Sequence, residues 1–255
     1  MSKTTLIIVR HGNTFGPGDV VTRQGGRTDL PLVESGLEQG RQVGAYLKQE
    51  GLQPDVVYTS HLQRTIQTAE QALRVMGLSV TPQPIDVFNE IDYGQDENRP
   101  EDEVVNRLGQ VTVDNLIKAG DKPSDWEPSA DEIYALGKAT IKLWDTDCIV
   151  PDGWKADAEA MKNDWVSFAD TVLDEHQGKT IMVVSSNGVL RFAPTILNDA
   201  DHFNSSQNLK FSTGAVSVLT HDPENGWVCE TWNIKPKDAL QKPYIAPQAG
   251  KAPSP

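Results

Sequence analysis

The sequence predicts an α/β fold: a three-layer sandwich with a mostly parallel central sheet of about six strands and helices on both faces. Two observations predict it. Short apolar runs alternate with segments of helical periodicity along the 255-residue chain, and strands that alternate with helices pair in parallel through crossovers. Two strand candidates, Thr5–Val9 and Thr180–Ser185, are continuously apolar or β-branched. That is the pattern of a strand covered on both faces.

The elements follow in order. Thr5–Val9 opens the sheet, and a loop bearing glycine and proline runs from Gly12 to about Val33. Ser35-Gly36-Leu37-Glu38 has the form of a capping box and predicts a helix start. Val43, Tyr46 and Leu47 share a face of that helix and Gly51 stops it. Asp55–Thr59 reads as a second strand. Ser60-His61-Leu62-Gln63 is a second capping box, and Leu62, Ile66, Ala69, Leu73 and Met76 then recur at helical spacing down to Gly77. Ile85–Phe88 reads as a short third strand.

Residues 95–155 are acidic and punctuated by Pro100, Pro123, Pro128 and Pro151. Helices are expected over Val104–Leu108 and Asp131–Leu143, with loop elsewhere, and the region reads as an insertion that roofs the sheet edge. Asp157–His176 is a helix with Met161, Trp165, Phe168 and Val172 on one face. Thr180–Ser185 is the fourth strand, and a short helix is expected from Val189, kinked near Pro194. Ala215–Thr220 and Trp227–Asn233 close the sheet around the turn Asp222–Gly226. The expected organisation is a single domain over 1–235. Residues 236–255 carry five prolines and little periodicity, the composition of a loose tail.

Lys and Arg total 23 against 36 Asp and Glu, so the net charge is −13. A surface of that sign repels nucleic acid and anionic membranes, and neither is expected as a partner. It repels phosphate esters as well, so any phosphate site must be a local basic pocket in an acidic body. No apolar run approaches the roughly 18 residues of a membrane helix. Leu6–Val9 is too short for a secretory segment and runs straight into Arg10-His11, so a cytoplasmic protein is the expectation. Cys148 and Cys229 have no metal spacing and read as thiols.

Three segments share one grammar of buried strand, polar turn and helix: Val9-Arg10-His11-Gly12, Thr59-Ser60-His61-Leu62-Gln63-Arg64 and Val184-Ser185-Ser186-Asn187-Gly188. A parallel sheet puts all three turns on one edge, where open α/β sheets bind ligands. Glu90, after the third strand, should reach the same edge. Arg23 and Arg27 flank a glycine-bearing basic loop that reads equally as a substrate contact and as plain surface. Arg64, in the first turn of a helix, opposes the helix dipole, a conflict that a bound anion would relieve.

These residues resemble the histidine phosphatase superfamily, the phosphoglycerate mutase-like fold. The likeness is carried by Arg10-His11-Gly12, by Gly26–Leu32 with Glu34-Ser35-Gly36, by Thr59-Ser60-x-Leu62-x-Arg64-Thr65-x-Gln67-Thr68-Ala69, and by Glu90-Ile91-Asp92-Tyr93-Gly94. The resemblance implies that His11 attacks a phosphoryl group and holds it as phosphohistidine. Arg10 and Arg64 would clamp its oxygens, a task suited to the forked guanidinium. Asn13 would add a neutral donor and Gly12 would let backbone approach the anion. Glu90, with Asp92 as its rival, would serve as acid and base. A small phosphorylated substrate is implied, with no cofactor and no metal.

One departure qualifies the resemblance. The family places a second histidine after the fourth strand, and aligned on Val189-Leu190-Arg191 that position holds Ser186, followed by Asn187. Loss of one preorganised donor costs about 10²–10³ in turnover. Ser186 and Asn187 are therefore candidate phosphate contacts in place of the imidazole. Phosphomonoester hydrolysis is the expected activity. Phosphoglycerate mutase-type transfer and a catalytically weakened phosphate-binding protein are the alternatives.

Overall fold

The computed structural model describes residues 3–240. Six strands form one sheet in the order β3-β2-β4-β1-β5-β6. They are β1 (Thr4–Arg10), β2 (Val56–Thr59), β3 (Gln83–Pro84), β4 (Thr180–Ser185), β5 (Val216–Asp222) and β6 (Gly226–Ile234). β1 pairs in parallel with β4, which pairs in parallel with β2, which pairs in parallel with β3. Only β5 runs against its neighbours β1 and β6.

Strand periodicity divides the core. Leu6 and Ile8 of β1 join Ile181, Val183 and Leu219 on one face, beneath Trp165, Phe168 and Val172 of α5 (Ala158–Glu175). Ile7 and Val9 join Met182, Val184 and Val216 on the other. There α1 (Glu34–Gln49) and α2 (Gln63–Met76) cover the sheet through Val43, Leu47, Ala69 and Leu73. Each fully buried aliphatic side chain contributes roughly 1.5–3 kcal/mol. Two covered faces explain why β1 and β4 read as unbroken apolar runs.

The region 95–155 is more regular than its composition suggests. It holds α3 (Glu101–Ala119) and α4 (Ala130–Asp147), longer than the helices expected over Val104–Leu108 and Asp131–Leu143. Val104, Leu108 and Trp144 tie the pair to the core face that carries α5. The third strand is displaced: β3 ends at Pro84, and Asp86–Phe88 form a single 3₁₀ turn that buries Phe88. After β4 come α6 (Asn187–Leu190), a 3₁₀ turn over Ala193–Ile196 and α7 (Ala200–Ser206). The first residues of the expected tail are ordered. Pro236–Ala239 form α8, and Ala239 and Leu240 pack on the core face under α1. The rest of that segment lies outside the described residues. Cys148 and Cys229 are free thiols.

Candidate active site

The parallel pairing of β1, β2 and β4 delivers the turns after Arg10, Thr59 and Ser185 to one sheet edge. A cavity of about 510 Å³ opens there. It gathers Arg10, His11, Asn13, Glu90 and Asn187 of the residues expected from sequence. Arg64 and Ser186 do not line it. They form the layer behind.

His11 is buried, and its backbone N–H donates to Ser185 O at 3.0 Å, locking the turn to β4. Its Nδ1 lies 2.7 Å from Gly12 O. A carbonyl only accepts, so Nδ1 carries the proton and Nε2 keeps its lone pair. Burial holds the imidazole pKa well below its ordinary value, and the Arg64 and Arg10 guanidiniums press it lower. Both influences favour the neutral ring. Gly12 answers to packing: a Cβ there would sit 2.3 Å from Gly36 O at the start of α1. That close approach, rather than room for an anion, requires the glycine.

Glu90 sits at the end of the 3₁₀ turn that replaces the third strand's end. Its Oε1 accepts from Ile91 N at 2.9 Å and its Oε2 from Gly188 N at 3.1 Å. Burial raises its pKa, against the pull of those two donors and of Arg64 and Arg10. Gly188 is obligatory here, because a Cβ would lie 2.1 Å from Glu90 Oε1. Asp92 takes no place in the cavity. It accepts from Gly94 N at 2.7 Å and pairs with Arg27 at 3.0 Å and Lys155 at 3.3 Å. Of the two carboxylates weighed, only Glu90 faces His11's cavity.

Arg10 donates through Nη1 to Phe211 O, and its Nε is buried with no hydrogen-bond partner among the described residues. Arg64 is fully buried. Its Nη1 donates to Thr28 O at 2.6 Å, Nη2 to Gly25 O at 3.2 Å and Nε to Ser186 Oγ at 3.4 Å. The dipole conflict foreseen for Arg64 is relieved from within. Asp29 Oδ1 accepts from Gln63 N at 2.7 Å at the helix start, and loop carbonyls take the guanidinium. Arg64 therefore acts on His11 and Glu90 through its field. Asn13 is held by Thr213 Oγ1, which donates to its Oδ1 at 2.6 Å, and Asn187 Oδ1 accepts from Phe211 N at 2.8 Å.

Trp144, Asp145, Arg191 and Lys210 are among the lining residues that sequence reasoning did not single out. Arg191 is buried, donates to Trp144 O at 2.6 Å and pairs with Asp145 at 2.9 Å. Its guanidinium carbon lies 4.6 Å from the Trp144 ring centroid. Lys210 reaches Asp145 at 3.2 Å. Arg191 had a readable signal: it stands four residues after Asn187 and so shares its side of the turn. Asp145 and Trp144 had none, because only the docking of α4 brings them in. Of the loop arginines, Arg23 lines the cavity, paired with Glu101 and stacked 4.7 Å from Trp154, while Arg27 lies outside. The pocket is thus a local concentration of Arg10, Arg23, Arg191 and Lys210 in an acidic body.

Among the described residues, no group of three or more His, Cys, Asp or Glu could hold a metal ion, and no helix is long and apolar enough to cross a membrane.

Comparison with known proteins places this geometry. A 2,3-bisphosphoglycerate-dependent phosphoglycerate mutase of Clavibacter sepedonicus is 30% identical over 197 residues, 73% of each chain. The crystal structure of phosphoglycerate mutase from Bacillus anthracis superposes with a TM-score of 0.64 at 20% identity, covering 91% of this chain and 93% of that one. A mycobacterial glucosyl-3-phosphoglycerate phosphatase in complex with VO3 superposes with a TM-score of 0.60 at 18% identity, covering 90% and 98%. The profile of the histidine phosphatase superfamily (branch 1) matches residues 6–235, from β1 to the end of β6, and the chain belongs to that superfamily.

Proposed function

We propose that the chain hydrolyses phosphomonoesters through a phosphohistidine on His11. The observation that carries this reading is the His11 imidazole, its Nδ1 tied to Gly12 O, in one cavity with Glu90 and Arg10. Nε2 attacks phosphorus, and the bond from phosphorus to the ester oxygen breaks. Glu90, whose raised pKa favours the protonated form, gives its proton to the departing oxygen. Arg10 neutralises the transferring phosphoryl from within the cavity, and Asn13 and Asn187 flank it. In the second half, Glu90 takes a proton from water. That water's oxygen attacks phosphorus, the P–N bond breaks, and inorganic phosphate leaves. Guanidiniums supply the positive charge such a transfer needs. Ser186 accepts from Arg64 Nε and so helps fix the guanidinium behind His11.

The kinship with a phosphoglycerate mutase supports a second reading, in which the phosphohistidine passes its group to another hydroxyl instead of water. One experiment separates the readings. The protein is mixed with a ³²P-labelled phosphomonoester and quenched rapidly. Acid-labile, base-stable label on the wild type, lost in His11→Ala together with at least about 10³ of kcat/KM, is expected. Label that ends on an added polyol rather than as inorganic phosphate would favour the mutase. Absence of label with turnover unchanged in His11→Ala would refute both, and label-free binding of phosphate would leave a phosphate-binding protein.

A further inference from the structure

A second cavity, of about 360 Å³, lies on the other side of Arg10. Its wall includes Arg10, Gln39, Gln42, Thr213, Lys235 and Lys237. The lining contains three cations, several neutral donors and no carboxylate, in a chain whose acids outnumber its bases by 13. The catalytic cavity is mixed by comparison, with Glu90, Glu101 and Asp145 among its cations. There Arg23 and Lys210 are offset by Glu101 and Asp145. Here neither Lys235 nor Lys237 forms an ion pair among the described residues. Arg10, which lines both cavities, has a buried Nε without a partner. Buried donors in folded proteins are as a rule satisfied, so Arg10 is under-satisfied at the wall the two cavities share.

We infer that this groove is a second anion site, for a small oxyanion of the phosphate class, separate from the catalytic cavity and coupled to it. The chemistry follows from the lining: cations and amide or hydroxyl donors, with nothing to repel a dianion. The coupling follows from shared walls. Thr213 lines both cavities and its Oγ1 donates to Asn13 Oδ1 at 2.6 Å. Gln39 accepts from Asn13 N at 2.7 Å and donates to Thr213 O at 3.2 Å. An anion drawn toward Arg10 from the groove competes for the guanidinium that faces the catalytic cavity. It also bears on Asn13 through Thr213 and Gln39. Each anion then weakens the other, and linkage makes that effect reciprocal. The inference holds whether or not His11 forms a phosphoenzyme.

The test is a titration with inorganic phosphate, followed by ¹H–¹⁵N spectra of the full chain and of Lys235→Ala/Lys237→Ala. In the wild type, amides at Gly214, Gln39 and Lys237 should trace one isotherm, and amides at His11 and Asn187 a different one. In the double variant the groove isotherm should weaken about tenfold while the cavity isotherm tightens, and a cavity isotherm that does not tighten would overturn the coupling. Repetition with a phosphate monoester too large for the groove separates free phosphate from an ester's phosphoryl: groove shifts with phosphate alone assign free phosphate. Both lysines are exposed, so the fold should survive, which unchanged amide shifts elsewhere would verify. A single isotherm shared by all these amides, an absence of shifts at the groove, or an unaltered groove isotherm in the double variant would each overturn the proposal.

Discussion

His11 and Glu90 are displaced from their ordinary pKa values in opposite directions by the same cause, burial. Each is thereby pushed toward its neutral form, which is the form the proposed first half-reaction needs from both. The pH dependence follows in sign. His11 remains neutral above its lowered pKa, so activity should not fall near 6.5 on the acid side. Glu90 must be protonated to give its proton, so kcat/KM for an alkyl phosphate should fall as pH rises through a value above the ordinary carboxyl range. Glu90→Gln should remove that fall and cost about 10²–10⁴ in kcat/KM. With p-nitrophenyl phosphate, whose leaving group departs without a proton, the loss should be far smaller. Equal losses on both esters would show that Glu90 only supports the turn. At this scale the sequence placed His11 and Glu90 at one sheet edge from their positions after strands, and the structure brings both into one cavity. The sequence could not show that Arg64 spends its donors on Thr28 O, Gly25 O and Ser186 Oγ, because carbonyl partners carry no side-chain signature.

Helix starts show where one-dimensional reading fails. Two segments read as capping boxes, Ser35–Glu38 and Ser60–Gln63, and neither caps its helix. α1 begins at Glu34 with Val33 as its N-cap, two residues before the expected cap, which draws Ser35 into the first turn. Ser60 Oγ accepts from Leu62 N and shares a hydrogen bond with Thr65, and α2 is capped from outside by Asp29. A complete capping box does form at Ser129 and Glu132, with Glu132 N donating to Ser129 Oγ at 3.3 Å and Ser129 N to Glu132 Oε2 at 2.8 Å. It starts α4, the helix that brings Trp144 and Asp145 over the cavity. Ser129→Ala should cost about 1 kcal/mol in chemical denaturation. KM should change less than stability, since the site residues lie four turns away. The apolar runs of β1 and β4 were legible because burial on two faces writes directly into composition. The roof helices were legible only in part, because their buried face is narrow and their length is set by docking.

The whole molecule sets a long-range field against its own site. The net charge of −13 repels a phosphate dianion, while Arg10, Arg23, Arg191 and Lys210 attract it at short range. Screening separates the two, because the Debye length falls from about 30 Å at 0.01 M salt to about 8 Å at 0.15 M. The body's repulsion acts over the longer distance and is lost first. The cavity's cations act at contact, beneath α4, and are screened much less. Adding sodium chloride from 0.01 to 0.15 M should therefore raise kcat/KM for a dianionic ester by roughly two- to tenfold, with kcat nearly unchanged. Above that range, competition by chloride for the guanidiniums should reverse the trend. Initial rates at fixed pH across this series check the expectation. A kcat/KM that falls from the lowest salt onward would mean that the cavity's cations govern the approach of substrate as well as its final contacts, and that the acidic surface serves only solubility.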